Sequence, residues 1–431
     1  MSLRVVFCTT CKGRTGHLEQ TLPQNLRDNP TAIFVVVDYN SRDHLAAYLR
    51  DSHADAIARG QLVVYRFTEA TAFRMAHAKN LAHRCGIAEG ADILVNLDAD
   101  NFTGPGFADY VADQFASGDR IFLWANRKQP RGVTGRIAVT AATFTLLGGY
   151  DEAFATWGPE DIDFTMRLQR TGYRNRAIDE RYLNAIKHSD RLRFREYRYA
   201  QPNYDIPESL PIPRSSVVNH GRYGLGVVYR NFSPEPMELP AVPTRIFGIG
   251  MHRTGTLSLH AALTILGYQS THWSSARRAR QFYEDMTSIG SSPIVDWSYA
   301  FSDLPVSILY HELDMAYPGS KFILTTRDDL GWLDSVRRHW LSSDRQEWAK
   351  DGFSDQLHEI VYGCTEFDAD IFLARYRRHN VEAVEYFSHR PQDLLVMNMS
   401  DGAGWHELCG FLRRWIPKVD YPKTHTKEMQ Q

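Results

Sequence analysis

Short apolar runs and longer amphipathic segments follow one another in turn along the first hundred residues. The runs Val5–Thr9, Ile33–Val37, Leu62–Phe67 and Leu94–Leu97 are typical of strands buried on both faces. Because helix-like segments separate them, the pattern predicts a mainly parallel sheet with right-handed crossovers. The predicted helices are Leu18–Leu26, Asp43–Ala58 and Ala72–Ala88, and two further strands, Ile121–Trp124 and Arg136–Ala141, are expected to extend the sheet in antiparallel fashion.

A second α/β pattern begins with the strand Arg245–Ile249, after a stretch rich in proline and glycine. Long loops inside a compact protein are usually functional or act as linkers. The sequence therefore predicts a first domain at 1–232 with a loop or lid region at 189–232, a linker at 233–243, and a second domain at 244–431. The glycine-rich piece His220–Gly226 is the candidate lid.

Composition and charge exclude several classes of protein. The chain has 431 residues, of which 43% are hydrophobic and 23% charged, as in globular proteins. A net charge of −2 without a long basic run argues against a nucleic-acid binder, and no apolar stretch approaches the ~18 residues of a transmembrane helix. The N-terminus shows no signal-peptide pattern, and five scattered cysteines form neither a disulfide framework nor a zinc site. We therefore expect a cytoplasmic protein with reduced cysteines.

Two carboxylates, Asp98 and Asp100, directly follow the fourth predicted strand. Ligands of open α/β sheets bind at the carboxyl ends of the strands. Paired carboxylates there suit a divalent cation, and the cation in turn suits a diphosphate. The alternative is that the two aspartates simply begin the turn that contains Gly104-Pro105-Gly106.

Further polar groups accompany this pair: Asp38 at a strand end and Lys79-Asn80 within a helix. Later in the chain come Gly148-Gly149-Tyr150-Asp151-Glu152 and Trp157-Gly158-Pro159-Glu160-Asp161-Ile162-Asp163. Acids at a helix N-terminus are favourable on their own, but this does not explain the tryptophan and the double glycine. The first half resembles the nucleotide-sugar glycosyltransferases with a Rossmann-like GT-A fold, especially the family 2 and galactosyltransferase-like members.

The resemblance implies a role for each residue. Asp38 would bind the nucleoside, and Asp98 and Asp100 would hold Mn²⁺ or Mg²⁺ against the diphosphate of a nucleotide sugar, with UDP as the implied nucleotide. Asp161 would be the general base for an acceptor hydroxyl, and direct attack would invert the anomeric centre. Glu160 would bind donor or acceptor hydroxyls.

Three assignments keep alternatives. Arg14 and Lys79 would reach the nucleoside or a phosphate, or they are solvated cations at helix ends. His188 stands where the family places a third metal ligand, although a lone histidine is often structural. The galactosyltransferase-like family usually has a methionine three residues before this histidine, where the chain has Ala185, so the metal preference stays open.

The second half opens with a loop suited to an anion. The strand Arg245–Ile249 runs into Gly250-Met251-His252-Arg253-Thr254-Gly255-Thr256, and a helix continues to Gly267. In such a turn the backbone N–H groups and the helix N-terminus face the ligand. No Lys-Ser/Thr pair follows Gly255, so the loop is not a Walker A motif. Arg253 can instead grip a phosphate with two hydrogen bonds, and an ordinary strand–helix turn is the alternative.

Two later segments of the sequence also bear on the function of this loop. Arg327 ends the strand that begins at Lys321, and Ser335 lies eight residues on. A strand at Leu394–Met399 precedes Gly404-Trp405-His406-Glu407-Leu408-Cys409-Gly410-Phe411-Leu412. Together these segments resemble the P-loop-type α/β sulfotransferases that use 3′-phosphoadenosine 5′-phosphosulfate (PAPS).

By that resemblance, Arg253, Thr254, Gly255 and Thr256 would bind the 5′-phosphosulfate, and Arg327 and Ser335 the 3′-phosphate. The chain departs from the family in three ways. Leu257 replaces a common threonine, Arg253 replaces a common lysine, and the Arg-Lys-Gly loop of the cytosolic members is missing. These departures leave nucleotide affinity and activity open.

The base of the sulfo transfer has three candidates, His252, Asp296 and Asp303. Asp296 is expected at a strand end that faces the cleft. Asp303 precedes the predicted helix Val306–Tyr317, so it can also be an N-cap. The sequence does not choose among them, and the family needs no metal.

We therefore expect a bifunctional enzyme that transfers a sugar and a sulfo group to carbohydrate hydroxyls. Its partners would be a glycan or glycolipid acceptor, a nucleotide sugar and PAPS or its product PAP, with peripheral membrane contact left open. One alternative is a glycosyltransferase whose second half is a degenerate nucleotide-binding module. Another makes that half a small-molecule kinase, and a third makes the chain a glycan-binding scaffold without activity.

Overall fold

The structure is a computed structural model that describes residues 3–125, 132–154, 159–187, 217–273, 275–341, 352–414 and 416–423. The chain divides into two compact units, Met1–Val242 and Pro243–Gln431. Each unit has its own sheet and its own buried apolar core.

The first unit is built on four parallel strands: β1 (Val5–Cys11), β2 (Ile33–Asp38), β3 (Leu62–Arg66) and β4 (Ile93–Asn96). Their apolar side chains are almost wholly buried, as expected for strands covered on both faces. The predicted order of strands and helices is confirmed. The helices are α1 (Thr15–Asp28), α2 (Leu45–Ser52), α3 (Ala54–Ala58) and α4 (Met75–Ala88).

The sheet continues beyond β4 as the sequence predicts. β6 (Ile121–Trp124) and β7 (Ile137–Thr140) pair in antiparallel fashion, and β7 is also antiparallel to β4. The remaining elements of this region are β5 (Asn101–Phe102), α5 (Phe107–Phe115), α6 (Ala141–Leu146), α7 (Pro159–Arg170), β8 (Arg174–Ala177) and β9 (Asn184–Ala185).

Two strands occupy part of the segment that was expected to form a lid and a linker. β10 (Gly226–Arg230) and β11 (Pro236–Leu239) form an antiparallel pair at the far edge of the same sheet, next to β3. The full order in the described sheet is β11-β10-β3-β2-β1-β4-β7-β6-β8. Part of the predicted linker is therefore a strand of the first unit, because β11 satisfies its backbone groups on β10.

The candidate lid is also held in place. The Leu225 carbonyl lies 2.9 Å from His77 Nε2 of α4, and the Gly224 N–H donates to Glu152 at 2.6 Å. A Cβ at Gly224 would lie 2.8 Å from the backbone of Asn80. This piece packs on α4, so the structure gives no support to a mobile lid at 220–226.

The second unit has a five-stranded, fully parallel sheet in the order β13-β14-β12-β15-β16. Its strands are β12 (Ile246–Gly248), β13 (Ser270–His272), β14 (Ala300–Ser302), β15 (Lys321–Thr326) and β16 (Leu394–Asn398). The helices are α8 (Thr256–Ile265), α9 (Ala276–Ser288), α10 (Tyr310–Ala316), α11 (Asp329–Trp340), α12 (Phe353–Tyr362), α13 (Ala369–Tyr386) and α14 (Trp405–Leu412).

Among the helices of the described ranges, none is both long and apolar enough to cross a membrane.

Candidate functional site

Two acidic side chains mark the end of β4, as predicted. Asp98 Oδ1 lies 3.3 Å from the Asn96 amide nitrogen, which also donates to the Gly135 carbonyl at 2.8 Å. Asp100 Oδ1 accepts a hydrogen bond from the Asn101 side chain at 2.8 Å. The amides of the strand end therefore fix both carboxylates at the edge of the sheet.

A second pair of acids reaches this edge from the first turn of α7. Lys79 of α4 donates to Glu160 Oε1 at 3.0 Å and to Asp161 Oδ1 at 2.6 Å. The Lys79 side chain is only 2% exposed. It is therefore not a solvated cation, and in this structure its ammonium is engaged by two carboxylates rather than free for a phosphate.

Burial and charge compete at this cluster. Burial opposes the charged form of Lys79, but the carboxylates of Asp161, Glu160 and Asp98 outweigh it and hold the pKa of Lys79 well above its usual value. Burial raises the pKa of Asp161 to about 7, although Lys79 opposes the rise. Burial also raises the pKa of Asp98. The cluster thus pairs one firmly charged lysine with an aspartate that titrates near neutral pH.

The double glycine of the first unit connects this cluster to its surroundings. Gly148 and Gly149 have φ values of 71° and 69°, which favour glycine. A Cβ at Gly149 would collide with the side-chain oxygen of Asn80, which itself accepts the Tyr150 N–H at 2.8 Å. Arg167 of α7 donates to the Gly149 carbonyl at 2.7 Å. Gly149 therefore contacts both α4 and α7, the two helices that carry Lys79 and the acids, whereas Gly148 packs against the backbone of Val218.

A small space beside Gly135 separates the two sets of acids. A Cβ at Gly135 would lie 2.9 Å from Asp98 Oδ2 and 3.1 Å from Asp161 Oδ2. Arg136 lies behind the edge, where burial lowers its pKa to about 10 and the charges of Asp98 and Asp100 oppose that fall. The sheet edge thus keeps an opening into which carboxylate oxygens from β4 and α7 both point.

These donors fit a divalent cation that shares its coordination with a substrate. Mg²⁺ is commonly bound by one or two carboxylates and the phosphates of a nucleotide, and Asp98 and Asp100 provide the two carboxylates. Within the described residues, no group of three or more His, Cys, Asp or Glu side chains is arranged to hold a metal without such help. The predicted third ligand, His188, lies outside the described residues.

The predicted nucleoside residues lie along the same sheet edge. Asp38 ends β2, where Oδ1 accepts the Ser41 N–H at 2.8 Å and Oδ2 is 3.5 Å from Arg66 Nε. Burial raises the pKa of Asp38, and these two partners oppose the rise. Arg14 is half-buried at the start of α1, just beyond β1.

In the second unit, the predicted anion loop lies between β12 and α8. Gly255 has a φ of 100° immediately before the helix, and Arg253 has a φ of 67°. Arg253 Nε donates to Ser335 Oγ of α11 at 3.2 Å. Two residues 82 positions apart, both predicted to bind one nucleotide, are therefore in contact.

The remaining predicted loop residues have different surroundings. The Thr254 hydroxyl donates to the Met251 carbonyl at 2.6 Å and lies 2.7 Å from Thr325 Oγ1, so it braces the loop. Arg327 follows β15, and its backbone is clamped by the Tyr376 hydroxyl. Thr256 begins α8, and its Oγ1 lies 3.2 Å from His272 Nε2.

Two of the three base candidates, His252 and Asp296, are buried. His252 is buried, and its Nε2 is 2.8 Å from the Tyr362 hydroxyl. Burial, together with neighbouring positive groups, holds the pKa of His252 well below its usual value. Asp296 is not at a strand end, because it lies buried in a 3₁₀ helix, Pro293–Trp297, that precedes β14.

The third candidate, Asp303, has a partner that the sequence did not reveal. Asp303 directly follows β14, and its Oδ2 is 3.3 Å from Nε2 of His272. It is not the N-cap of a long helix, since the predicted helix Val306–Tyr317 is a short 3₁₀ turn followed by α10. The only sequence signal for His272 is a polar residue at the end of a three-residue strand, Ser270–His272.

Comparisons with known proteins agree with this division of the chain. Residues 245–429 match the family model described as a sulfotransferase domain. Residues 125–189 match the model described as the N-terminal domain of galactosyltransferase, and this range contains Glu160 and Asp161. The chain joins a glycosyltransferase-like domain to a sulfotransferase-like domain. The resemblances seen in the sequence are confirmed for both halves.

Individual relatives are distant from this chain. Ava biosynthesis cluster protein M of Aspergillus versicolor is 24% identical over 216 residues, which cover 43% of this chain and 82% of that protein. Mannosyltransferase PcManGT from Pyrobaculum calidifontis, solved with GDP-Man and Mn²⁺, is 19% identical at a TM-score of 0.35, over 43% of this chain and 58% of its own.

Two further solved structures are similar to a comparable extent. TarS 1–349 of S. aureus is 13% identical over 42% of this chain and 59% of its own, at a TM-score of 0.35. GalNAc-T7, solved with UDP, GalNAc and Mn²⁺, is 14% identical over 41% of this chain and 42% of its own, at a TM-score of 0.32. The two-domain chain thus spans less than two thirds of each of these solved structures, and similarities this loose support no statement about its activity.

Proposed function

We propose that the chain is a bifunctional carbohydrate-modifying transferase. The first domain would transfer a sugar from a nucleotide sugar, with UDP as the nucleotide, to a hydroxyl of a glycan or glycolipid. The second would transfer a sulfo group from PAPS to a carbohydrate hydroxyl. The first assignment is carried by the convergence of Asp98, Asp161 and Glu160 at one sheet edge, and the second by the contact between Arg253 and Ser335.

In the sugar transfer, Asp98 and Asp100 would hold Mn²⁺ or Mg²⁺. A divalent cation there would neutralise the charge that develops on the diphosphate leaving group. Asp161 would take the proton of the acceptor hydroxyl as that oxygen attacks the anomeric carbon. A base with a pKa near the working pH suits this step, and burial gives Asp161 such a pKa, about 7. Lys79 would keep both acids in position, and attack opposite the leaving group inverts the anomeric centre.

The test is metal-dependent release of UDP from a panel of UDP-sugars, followed by NMR assignment of the product anomer. Release that requires Mn²⁺ or Mg²⁺, is lost in Asp161→Asn and gives inverted product would support the assignment. A retained anomeric configuration would contradict it. A glycan-binding scaffold would release no UDP at all.

In the sulfo transfer, Arg253 and the N–H groups at the start of α8 would bind the phosphosulfate. A new bond forms between the acceptor oxygen and sulfur while the bond between sulfur and the bridging oxygen breaks, and the electron pair leaves with PAP. Cationic and N–H donors are the groups that stabilise such a leaving phosphate. Arg327 and Ser335 would hold the 3′-phosphate, which distinguishes PAPS from ATP.

The corresponding test is transfer of radiolabelled sulfate from PAPS to a panel of sugars and glycolipids. Transfer without added metal would support the sulfotransferase assignment. Phosphate transfer from ATP with Mg²⁺ would favour a small-molecule kinase instead. If the second domain neither binds PAP nor transfers any group, it is a degenerate nucleotide-binding module.

The fusion raises the hypothesis that one acceptor receives both groups. Its test is to offer the purified product of the sugar transfer to the chain together with PAPS. Sulfation of that product in preference to the unmodified acceptor would support the coupling. If the chain does not sulfate this product, the hypothesis of a shared acceptor is wrong.

A further inference from the structure

Three strand ends meet beside the anion loop of the second unit. β13 ends at His272, β14 is followed by Asp303, and β12 leads through the loop to Thr256 at the start of α8. β14 lies between β13 and β12, and all three are parallel. Side chains that follow their carboxyl ends therefore gather at the edge where open α/β sheets bind ligands.

The contacts among these side chains are direct. His272 Nε2 is 3.2 Å from Thr256 Oγ1 and 3.3 Å from Asp303 Oδ2. The His272 and Asp303 side chains are 21% and 25% exposed, so this pair is partly open to solvent. The same imidazole nitrogen thus faces a hydroxyl of the anion loop and a carboxylate.

Asp303 is held there in an unusual way. Its φ of 79° is a left-handed conformation that non-glycine residues seldom adopt. Its Oδ1 is buried without a hydrogen-bond partner among the described residues. Strain and an unsatisfied buried acceptor both cost stability, and such features concentrate at functional sites.

We propose that His272 is the general base of the sulfo transfer and that Asp303 is the positioning residue that stabilises its protonated form. The inference rests on the proposed sulfo transfer. As the acceptor oxygen bonds to sulfur, its proton passes to the His272 ring nitrogen that does not face Asp303, because Nε2 donates its own hydrogen to that carboxylate. The sulfur–oxygen bond to PAP breaks with its electron pair on the phosphate. The new imidazolium then lies at ion-pair distance from Asp303, whose negative charge favours it.

The rival histidine nearby does not fit this role. His260 of α8 is 5.9 Å from the His272 ring, and its Nδ1 lies 2.9 Å from Ser270 Oγ. Among the described contacts, Asp303 pairs with His272 and His260 pairs with Ser270. His260 therefore offers a matched control: a neighbouring histidine of the same domain outside the proposed pair.

The experiment compares acceptors that differ in their need for a base. The chain and its variants are assayed slightly above neutral pH with saturating PAPS. The acceptors are either methyl glycosides, whose hydroxyls must lose a proton, or p-nitrophenol, which is largely ionised under these conditions. For His272→Gln we expect kcat/KM to fall about 100-fold or more with the glycosides and to stay within about threefold with p-nitrophenol, because a base contributes ~10²–10⁴-fold only where a proton must be removed.

Asp303→Asn should show the same acceptor dependence with a smaller loss, about tenfold, since the imidazole remains. His260→Gln should change neither rate by more than about threefold. Isothermal titration with PAP should give similar affinities for the wild type and His272→Gln, which shows that the variant is folded and binds nucleotide.

Equal losses with both acceptors would overturn the inference, because a structural defect does not depend on the acidity of the acceptor. Unchanged transfer to the glycosides in His272→Gln would overturn it as well. If the wild type fails to bind PAP, the proposed sulfo transfer itself is wrong, and the inference falls with it.

Discussion

Lys79 shows how one buried residue can organise a candidate site. It is buried between Glu160 and Asp161, which lie more than 80 positions later in the chain. Its positive charge opposes the rise in the pKa of Asp161 that burial causes. The negative charges of Glu160 and Asp161 on α7 are therefore compensated by the ammonium of Lys79 on α4.

Replacing Lys79 with methionine should destabilise the first unit by about 3–5 kcal/mol, because removal of one partner leaves buried charges without compensation. Chemical denaturation of the full-length chain measures the change. Arg174→Met is the matched control, since Arg174 forms an exposed pair with Asp119 at 3.7 Å that should contribute less than about 1 kcal/mol. Similar effects of the two substitutions would contradict the role given to Lys79.

Gly135 tests the opening between the acids. In Gly135→Ala the new methyl group would lie within 3.1 Å of carboxylate oxygens of Asp98 and Asp161. We expect metal-dependent UDP release to fall at least about tenfold, because small displacements of catalytic groups cost large factors in rate. Gly16→Ala, with no atom within 4 Å of the added Cβ, should leave the rate unchanged. Normal activity of Gly135→Ala would show that the opening is not part of the site.

The pKa of Asp161 sets the pH dependence of the sugar transfer. Burial raises this pKa to about 7, and a general base must be ionised to accept a proton. The rate should therefore fall as pH decreases through about 7, with the ionised form dominant above it. Initial rates of UDP release, measured across about pH 5.5 to 9, test for this fall in rate on the acidic side. A rate that does not change over this range would exclude Asp161 as the base.

At the scale of elements, the nucleotide site of the second unit depends on how α11 packs beside the anion loop. Ser335 of that helix is buried and accepts the hydrogen bond of Arg253. The loop therefore follows β12, whereas the helix α11, which follows β15, orients Arg253 within the loop. The site needs both elements in register.

Ser335→Ala should weaken PAP binding about 10- to 150-fold, since a hydrogen bond that involves a charged group contributes about 1.5–3 kcal/mol. Isothermal titration calorimetry gives the affinity directly. Thr287→Ala is the control, because the Thr287 hydroxyl bonds within the exposed part of α9. An unchanged affinity for PAP in Ser335→Ala would remove Ser335 from the nucleotide site.

The sequence predicted elements well where burial alone decides them. The strands at β1 to β4 are apolar runs buried on both faces, so their position follows from hydrophobicity. Predictions failed where tertiary contacts decide. The helix expected at Asp43–Ala58 is interrupted at His53, whose ψ of 21° is not helical. The strand β11 was taken for a linker because only its pairing with β10 makes it a strand.

The same contrast between local pattern and tertiary contact applies to the residues of the candidate sites. The positions of Asp98 after a strand and of Asp161 at a helix start follow from local motifs. The surroundings of Lys79 and the pairing of His272 with Asp303 depend on residues far apart in the chain, and no local pattern encodes them. His188 remains a prediction, since it lies outside the described residues.

At the scale of the whole molecule, the two units carry separate sheets and separate candidate sites. Substitutions in one site should therefore leave ligand binding at the other intact, because each site is built from residues of its own unit and sites without shared partners behave independently. This independence allows the two proposed activities to be tested in one chain.

The most direct test of the account is calorimetric titration of the full-length chain with PAP, with UDP plus Mn²⁺, and with ATP plus Mg²⁺. We predict one site for PAP, lost in Arg253→Ala and kept in Asp98→Asn, and one metal-dependent site for UDP with the opposite response. A ligand at ~100 times its dissociation constant should also stabilise its unit by about 2.7 kcal/mol. Binding of ATP with Mg²⁺ in place of PAP, or a UDP site that ignores Asp98, would contradict the assignment of two donors to two domains.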